Sequence, residues 1–421
     1  MYNSTLPSPF ALPAEWEPQS AVMLTWPHAD TDWKPYLAEI TQTYIQLADI
    51  ITRHEQLLVA TPHKSATWHT LHDTLSPEQM SRVHLYEVDS NDTWARDHGP
   101  ITMVMRKKQN TWMVPIRLLD FKFNGWGEKF KWQKDNAITL QLYYQAAFNA
   151  DLEPHQGFVL EGGSIESDGK GTLFTTSQCL LAPHRNQPFT REDIDHQLKT
   201  FFNLRQVVWL DHGNLVGDDT DGHIDTIVRV APHDTLLYIG GDDPADEQYE
   251  DFKALEKQLQ GLFTFEGYPY RLIKLPMPDP IYDNGEQLVT RAQDGTLRDA
   301  FTGETYEEKK IGKEIGCSKD CQNECERRCK TVSLGDRLPA TYANFLILNK
   351  AVIYPTYNQP EKDEEAKRQI QQAFPDREII GVDSLTIIRQ HGSIHCLTMQ
   401  LPKGAIKGDS LEQPASSAWQ P

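Results

Sequence analysis

Residues 158–181 read FVLEGGSIESDGKGTLFTTSQCLL and contain the pattern from which the fold can be inferred. The pattern predicts a strand over FVLEGGSIES (158–167), a hairpin turn at Asp168-Gly169 and a second strand over GTLFTTSQCLL (171–181). The sequence that follows predicts a helix over 190–203 and a third strand at QVVWL, with its core at 207–210. This order of strand, hairpin, strand, helix and strand defines one α/β unit.

The same order recurs in three other places. One copy starts at Asp225, where IDTIVRV, TLLYIG and RLIKL predict strands, and an apolar helix face runs from Tyr249 to Leu262. A second copy starts at Tyr342 with YANFLIL, AVIYP, a charged helix over 361–373 and REIIGV. A looser copy starts at Ile101, with the turn KKQN and a helix within 134–149. The units show no sequence identity with one another, so element order alone favours a repeat architecture.

Composition excludes several classes of protein. The chain has 421 residues, of which 39% are hydrophobic and 10% aromatic, and this excludes disorder throughout. Its formal net charge of −19 argues against nucleic acid as a partner, whereas a small cation would be attracted. No apolar run is long enough to cross a membrane. The first twenty residues have neither a basic start nor a long apolar stretch, so we expect no secretory signal and a cytoplasmic location.

Two stretches do not fit the repeat. A charged segment at 288–336 interrupts the connection between RLIKL and YANFLIL, and a Pro-, Ser- and Gly-rich tail at 404–421 is predicted to be mobile. The segment contains Cys317, Cys321, Cys325 and Cys329, which would form one stripe on a helix. Such thiols are badly placed for disulfides with one another. They could bind a soft metal such as zinc, pair with a second copy of the chain, or be incidental.

The insertion enters just before the first strand of a unit. We therefore expect it at the rim of an active-site mouth, as a lid or flap whose deletion leaves a folded enzyme.

Two residues near the C-terminal and central parts of the chain are candidates for nucleophilic chemistry. Cys396 lies in GSIHCLTMQL, and the preceding Gly-Ser turn together with His395 predicts an exposed thiol at the start of a strand, although a buried small side chain is the ordinary alternative. His223 lies in DDTDGHIDT, which can also be a polar loop. Cys179, by contrast, is expected within a strand, where substitution should have little effect on activity.

Three carboxylates accompany this pair. Asp225 follows His223 closely, Glu161 lies in LEGGS at a strand end, and Asp97 lies in NDTWARDHGP beside Trp94. Each carboxylate alone is more often structural, as in a salt-bridged turn. The acidic run in DDTDGHID could also hold a hard cation through oxygen ligands, although it lacks EF-hand spacing: Asp218, Asp219, Asp221 and Asp225.

The positions of these residues in the repeated units favour a functional role over the structural alternatives. Asp97, His223 and Asp225 lie just before or at the first strand of a unit, Glu161 within one, and Cys396 within a strand that would complete a ring. If the units surround an axis, these strand ends converge in one cavity. Carboxylates there can accept the paired N–H donors of a planar guanidinium, a thiolate can attack its carbon, and a histidine can transfer protons.

Seven segments together resemble one family. The chain is similar to agmatine deiminase, within the guanidine-modifying or pentein superfamily, and to the bacterial peptidyl-arginine deiminase type. The segments occur in order over about residues 10 to 403, apart from 288–336: PAEWEPQSAVMLTWPH, NDTWARDHGP, FNGWGEKF, LEGGSIE, DGHIDT, RLPATYANFLI and GSIHCLTMQLP.

The resemblance implies a single domain over 1–403, a five-bladed α/β propeller of pseudo-fivefold ββαβ units. It also implies hydrolysis of agmatine to N-carbamoylputrescine and ammonia, a reaction at the C–N bond of a linear amidine that belongs to putrescine and polyamine biosynthesis. No metal or cofactor is implied for catalysis. We further expect a homo-oligomer.

The resemblance also assigns roles by position. Cys396 matches the nucleophile, His223 the general acid and base, and Glu161 the glutamate that orients the histidine. Asp97 and Asp225 match the carboxylates that bind the guanidinium. The family's further contact is an aromatic side chain beside the substrate, matched here by Trp94. One departure is the stretch HGSIHC (391–396), since the family often has three glycines before the histidine and cysteine.

Three alternative functions use the same residues or the remainder of the chain. An amidinotransferase would pass the amidino group to an amine, and a peptidyl-arginine deiminase would need a mouth open to a protein chain. A metal- or redox-sensing protein would instead depend on the four-cysteine segment.

Overall fold

The structure, a computed structural model, describes residues 9–106, 116–308, 331–332 and 334–407. The cysteines at 317, 321, 325 and 329 and the predicted turn KKQN lie outside these ranges, as do residues 408–421. In the part of the chain that is described, no helix has both the length and the apolar character needed to cross a membrane.

Five mixed β-sheets, here called sheets A to E, share one topology. In each, the first strand of the unit pairs antiparallel with the second, and the second pairs parallel with the third. The strands of sheets A and B are Phe10–Ala11, Ile101–Met105, Ile116–Lys122 and Asp151–Val159, then Ile165–Ser167, Thr172–Thr176 and Gln206–Leu210. Those of sheets C and D are Val228–Ala231, Thr235–Gly240 and Arg271–Pro276, then Leu346–Ile347, Ala351–Thr356 and Glu378–Asp383. Those of sheet E are Thr398–Pro402, Gln19–Thr25, Gln56–Thr61 and Val83–Glu87. The strand order predicted for the four units is confirmed.

A helical segment connects the second and third strands of every unit. These segments, from sheet A to sheet E, are Gln133–Asn136 with Ile138–Tyr144, Arg191–Phe202, Tyr249–Gln260, Pro360–Ala373 and Leu37–His54. Their apolar faces are buried as their spacing predicts; in Tyr249–Gln260 the buried residues include Phe252, Leu255 and Leu259. The other α-helices in the described ranges are Lys64–His72 and the one-turn helices Pro77–Met80, Ala95–His98, Gly125–Glu128, Ser177–Leu180 and Leu385–Ile388, and 3-10 helices occur at Lys34–Tyr36, Gly162–Ser164 and Ile224–Thr226.

Sheet E joins the two ends of the described chain. Its first strand, Thr398–Pro402, pairs antiparallel with Gln19–Thr25, and Met399 lies opposite Met23. Sequence recurrence revealed only four units because the strands of this fifth unit come from opposite ends of the chain. Packing continues beyond the last strand, since Ala405 and Ile406 are buried. These two residues belong to the segment predicted as a tail, 404–421, of which the structure describes residues 404–407.

The described parts of the segment predicted as an insertion, 288–336, share a sheet with Ile281–Asp283, which pairs antiparallel with Leu288–Arg291. This six-stranded sheet comprises Ile281–Asp283, Leu288–Arg291, Leu297–Asp299, Thr305–Glu308, Thr331–Val332 and Asp336–Arg337. Leu288 belongs to the main apolar core and is fully buried. The sheet also reaches the turn before Cys396, because Asp283 forms an ion pair with Arg389 at 3.8 Å.

Candidate active site

Five connecting segments meet at one point, and each of them directly precedes the first strand of a sheet. Their residues come from sheets A to E in turn, and all are buried: Asp97, Glu161, His223 with Asp225, Asn344 and Cys396. The structure thus brings together every catalytic and guanidinium-binding residue predicted from sequence. In each unit this segment occupies the same position, directly before the first strand. The repeat therefore explains why residues that are distant in sequence become neighbours.

The Cys396 thiol is buried, contrary to the prediction that it is exposed at a strand start. Only 3% of the residue is exposed, and it lies in a turn, since the strand begins at Thr398. Its Sγ lies 3.7 Å from Oδ2 of Asp225 and 3.4 Å from Oδ1 of Asn344. Burial, together with the negative charges of Asp225 and Asp97, raises the pKa of the Cys396 thiol well above its usual range. The free protein therefore holds this residue as a neutral thiol at neutral pH.

Asn344 is a site residue that the sequence analysis missed. Its Oδ1 accepts hydrogen bonds from the backbone N–H groups of His395 and Cys396, at 3.0 and 3.3 Å. The side chain thereby fixes the turn that presents the thiol. The signal was available in YANFLIL: the predicted strand over this stretch is limited to Leu346–Ile347, and Asn344 occupies the position before it that holds site residues in the other units.

His223 has unsatisfied hydrogen-bonding capacity inside the protein. Neither ring nitrogen has a hydrogen-bond partner, and Nδ1 lies 3.6 Å from Oδ1 of Asp97. Burial lowers the pKa of this imidazole, but the neighbouring Asp97 carboxylate, with further contributions from Cys179 and Glu161, outweighs that effect and holds the pKa well above its usual value. His223 is consequently an imidazolium in the free protein, with protons available for transfer.

Asp97 is fixed by two donors. Its Oδ2 accepts the indole N–H of Trp126 at 3.0 Å, and its Oδ1 accepts the backbone N–H of Gly163 at 3.0 Å. Burial raises the pKa of Asp97 to about 6, with smaller contributions in the same direction from Asp225 and Glu161, while His223 acts in the opposite direction. A guanidinium placed beside this carboxylate would favour its ionised form.

Asp225 is oriented from one side only. Its Oδ2 lies 2.7 Å from Nδ1 of His395, whereas its Oδ1 has no hydrogen-bond partner despite complete burial. Burial acts to raise the pKa of Asp225, but the hydrogen bond and charge of His395 prevail and lower it. This carboxylate is therefore ionised and offers a free oxygen to a ligand.

Glu161 and Cys179 lie behind His223. Glu161 accepts a hydrogen bond from Nε of Arg185 at 3.0 Å through Oε1, and its buried Oε2 has no partner. Cys179 belongs to the one-turn helix Ser177–Leu180, not to a strand as predicted, and its sulfur lies within 4.8 Å of donor atoms of both Glu161 and His223. Cys179 thus lies beside two of the predicted catalytic residues, a position that the sequence did not indicate.

Two adjacent glycines let these side chains approach. The predicted continuous strand over 158–167 is interrupted after Val159, and Gly162–Ser164 forms a 3-10 turn before the next strand begins at Ile165. A Cβ on Gly163 would lie 2.6 Å from Nδ1 of His223 and 2.8 Å from Oδ1 of Asp97. Only glycine fits between His223 and this carboxylate in the observed arrangement.

A narrow acidic cleft leads to Cys396. Three aromatic rings line it, those of Trp94, Trp126 and Phe130, together with Asp32, Asp92, Asp97, Asp219, Thr220, Gln390, His391 and Gly392. Burial raises the pKa of Asp92 to about 7 and that of Asp219 to about 6. In the stretch HGSIHC, the single glycine packs against Trp94, since a Cβ on Gly392 would lie 2.1 Å from that ring.

The acidic run in DDTDGHID does not form the cation site considered as an alternative. Asp218 accepts hydrogen bonds from Gly222 and Thr220, and Asp221 pairs with Lys129 and Arg185. Asp225 points instead toward His395. These carboxylates have separate partners and do not share one centre.

Two other sets of donor atoms in the described residues are close enough to surround an ion, and each contains an arginine contact. Glu161, Cys179 and His223 form one set, and Arg185 binds its glutamate. Glu15, Glu166 and His395 form the other, into which Arg96 and Arg229 extend. Repulsion from a guanidinium in direct contact disfavours a divalent cation at either place.

Comparison with known proteins agrees with this geometry. The model of the Porphyromonas-type peptidyl-arginine deiminase family matches residues 11–402. A relative from Marinomonas sp. (strain MWYL1), named "Putative agmatine deiminase", is 32% identical over 413 residues, which cover 96% of this chain and 97% of the relative.

Solved structures are similar over the same length. A cysteine-to-serine variant of C. jejuni agmatine deiminase with substrate bound is 31% identical, with a TM-score of 0.75 over 94% of this chain and 97% of that one. The agmatine deiminase of Enterococcus faecalis is 27% identical, with a TM-score of 0.72 over 94% of this chain and 96% of that one. The chain therefore belongs to the Porphyromonas-type peptidyl-arginine deiminase family.

Proposed function

We propose that this protein is an agmatine deiminase, a hydrolase that converts agmatine to N-carbamoylputrescine and ammonia. The observation that supports this most directly is a buried thiol surrounded by three carboxylates and an imidazolium at the base of an acidic cleft. Such a site binds a cation, and the thiol places a nucleophile against it. The family membership and the agmatine deiminases among the similar structures support the same substrate.

Two unpartnered carboxylate oxygens support guanidinium recognition. Oδ1 of Asp225 and Oε2 of Glu161 are buried without hydrogen-bond partners, which is costly unless a ligand supplies donors. Asp97 lies between them in the same cluster, with its charge facing His223. A guanidinium has donors on all three nitrogens and can pair with several carboxylates at once. We assign Asp97, Asp225 and Glu161 to its binding.

The first chemical step would be attack by Cys396. The thiol releases its proton to solvent through the cleft when the guanidinium binds, because the added positive charge offsets the burial and the carboxylates that hold the pKa of the thiol high. The sulfur then forms a bond to the guanidinium carbon. His223, already an imidazolium, donates a proton to one nitrogen, and the C–N bond breaks with release of ammonia. A thiouronium attached to Cys396 remains.

The second step would be hydrolysis. The neutral imidazole left on His223 accepts a proton from water, and the oxygen bonds to the thiouronium carbon. The C–S bond then breaks with return of the thiolate, and the proton left on the oxygen is released to solvent to give the neutral ureido product. The thiolate takes up a proton again when the product leaves. Glu161, which has a carboxylate oxygen within 4.8 Å of a ring nitrogen of His223, would keep the ring oriented, and the fixed carboxylates would stabilise positive charge in both steps.

The cleft favours agmatine over substrates that carry a carboxylate or a peptide. Its described lining contains several aspartates but no lysine or arginine that could pair with the carboxylate of free arginine. Agmatine has an amine at that end, and Asp32, Asp92 and Asp219 are available to it. The aromatic rings of Trp94, Trp126 and Phe130 narrow the approach, which suits an alkyl chain better than a polypeptide.

We infer that sheets A to E surround one axis as a five-bladed propeller. Each sheet has the same strand pairing, and each contributes site residues from the segment before its first strand. The pairing of Thr398–Pro402 with Gln19–Thr25 would close the fifth blade. A cytoplasmic location, a homo-oligomeric state and a role in polyamine biosynthesis stay predictions, which cell fractionation, light scattering and metabolite analysis of a deletion strain would test.

A substrate panel tests the proposed function. Purified protein is supplied with agmatine, free arginine or a blocked arginine peptide, and ureido product and ammonia are both measured. We expect turnover of agmatine well above that of the other two, with equal amounts of the two products. Preferred turnover of the peptide would contradict the proposal, and so would transfer of the amidino group to an added amine without ammonia.

A further inference from the structure

We propose that His395 is a positioning residue for Asp225, and that Glu15 holds His395 in place from the other side. This proposal rests on the proposed function in one respect: it takes Asp225 as a guanidinium-binding carboxylate. Neither Glu15 nor His395 contacts the cleft; both would act through Asp225.

The three side chains form one hydrogen-bonded chain. Nδ1 of His395 lies 2.7 Å from Oδ2 of Asp225, and Nε2 lies 2.9 and 3.0 Å from the two oxygens of Glu15. A carboxylate thus faces each ring nitrogen. Carboxylates accept hydrogen bonds and do not donate when ionised, so both nitrogens serve as donors when the ring is an imidazolium.

Glu15 is itself held firmly. Arg96 donates to Oε1 at 2.9 Å, and Oε2 accepts from Arg229 at 2.5 Å and from Gln400 at 3.0 Å. Burial acts to raise the pKa of Glu15, but His395, Arg96 and Arg229 together keep it well below its usual value. The negative charge behind His395 is therefore permanent at any pH where the protein would work.

The outer end of the chain lies apart from the substrate cleft. Glu15 is 16% exposed by its side chain and lines a second cavity of about 80 Å³, whose described lining has no residue in common with that of the cleft. A substrate in the cleft would not contact Glu15. Of the side chains that hydrogen-bond to Glu15, His395 is the one that also hydrogen-bonds to Asp225.

This arrangement explains why one oxygen of Asp225 is hydrogen-bonded and the other has no partner. His395 occupies Oδ2, which fixes the carboxylate plane, and leaves Oδ1 unpartnered toward the guanidinium position. The charged and titratable groups around His395 and Asp225 are Glu15, Glu166, Arg96 and Arg229 on one side and Cys396, His223 and Asp97 on the other. Among these side chains, those of His395 at 2.7 Å and Cys396 at 3.7 Å hydrogen-bond to Asp225, both at Oδ2, and His395 makes the shorter bond.

Two substitutions of His395 distinguish its hydrogen bond to Asp225 from its hydrogen bond to Glu15. Asparagine at position 395 can place an amide donor near the Nδ1 position and keep the bond to Asp225. Glutamine reaches the Nε2 position and keeps the bond to Glu15 instead. His155 lies away from the site, and its ring pairs with Glu153 at 3.1 Å. His155→Gln therefore serves as the control substitution.

The experiment measures ligand binding in a Cys396→Ser background, which cannot turn over. Agmatine and methylguanidinium are titrated calorimetrically between about pH 5 and pH 8. We expect His395→Gln to weaken both ligands at least about tenfold near pH 6 and to shift the loss of affinity to higher pH, because Asp225 without its donor retains a proton more readily. His395→Asn should stay within about threefold of the parent, and so should His155→Gln.

Glu15→Gln provides a second route if His395→Gln does not fold, and it should shift the loss of affinity in the same direction. Unchanged binding in both His395→Gln and Glu15→Gln would overturn the proposal, as would equal losses at every pH in His395→Gln and His395→Asn. If the parent binds methylguanidinium but not agmatine, the proposed substrate fails while methylguanidinium still tests His395. If the parent binds neither ligand, both proposals fail.

Discussion

Gly163 lies directly against His223: a methyl group on its α-carbon would be 2.6 Å from Nδ1 of the imidazole. The same methyl would lie 2.8 Å from Oδ1 of Asp97. The absence of a side chain on Gly163 therefore sets the distance between His223, the proposed base, and Asp97, a proposed guanidinium ligand.

Gly163→Ala should displace His223 or Asp97 and lower kcat/KM by about a hundredfold, since misplacement by about 1 Å can cost that much. Gly157→Ala is the matched control, because a Cβ there meets no atom within 4 Å. Steady-state kinetics with agmatine, alongside thermal unfolding, would measure both variants. A Gly163→Ala enzyme as active as Gly157→Ala would contradict the assigned roles.

Cys396→Ser should lower turnover by at least about a thousandfold with the fold intact, because a hydroxyl is a far weaker nucleophile than a thiolate. Mass spectrometry of the wild type mixed with substrate should show a covalent adduct on Cys396 that the variant lacks. A folded serine variant with near-normal activity would exclude the proposed mechanism.

Cys179→Ala should also reduce activity, in contrast to the expectation from sequence. The substitution removes the sulfur that lies beside Glu161 and His223 and contributes to the raised pKa of that histidine. The pKa of His223 should fall, so the high-pH decline of kcat should begin at a lower pH than in the wild type. An unchanged pH profile would show that Cys179 only fills space.

Asp97 should determine the low-pH limit of kcat/KM. Its pKa of about 6 in the free protein means that it takes up a proton as the pH falls through that value and loses its charge for the guanidinium. Activity should be full well above about pH 6 and fall progressively below it. Asp97→Asn should lose about 10- to 100-fold in kcat/KM and no longer show this decline. A decline of the same midpoint in the variant would assign it to another group.

Arg229 should be important for stability. Its fully buried guanidinium pairs with Glu166 at 2.5 Å and with Glu15, and it donates to the backbone oxygens of Ala343 and Phe345. Arg229→Met removes one partner from a buried ionic cluster and should cost about 3–5 kcal/mol of unfolding free energy. Arg191 is 41% exposed and pairs with Asp211 at 3.3 Å. The control substitution Arg191→Met should therefore cost only about 0–1 kcal/mol of unfolding free energy. Urea denaturation would compare them.

Deletion of the inserted segment should have a different effect from the one predicted from sequence, which was a folded enzyme. Deletion of 288–336 removes Leu288 and Val289, which are fully buried, so it should destabilise the protein instead of leaving it intact. Serine at the four cysteines 317, 321, 325 and 329 is the sharper test of metal binding. Metal content of the purified wild type and of this variant should differ if the thiols bind zinc, and equal content would exclude that role.

Much of this protein followed from its sequence. Period-two apolar segments, the Asp168-Gly169 turn and amphipathic helices such as Tyr249–Gln260 are local patterns, and they identified four of the five repeated units. The motifs around Cys396 and His223 were equally local, so the family resemblance and the catalytic and guanidinium-binding residues that it implied could be named before any coordinates. Charge excluded nucleic acid as an expected partner for the same reason, since it depends on composition alone.

The tertiary structure decided what depends on contacts between distant segments. The fifth unit could not be found by recurrence because Thr398–Pro402 and Gln19–Thr25 are paired only in space. Burial of the Cys396 thiol, the role of Asn344 in its turn and the position of Cys179 behind His223 each depend on which segment packs against which. Local sequence determines how a strand or turn forms, but a pKa and an unpartnered oxygen belong to the neighbours that folding brings together.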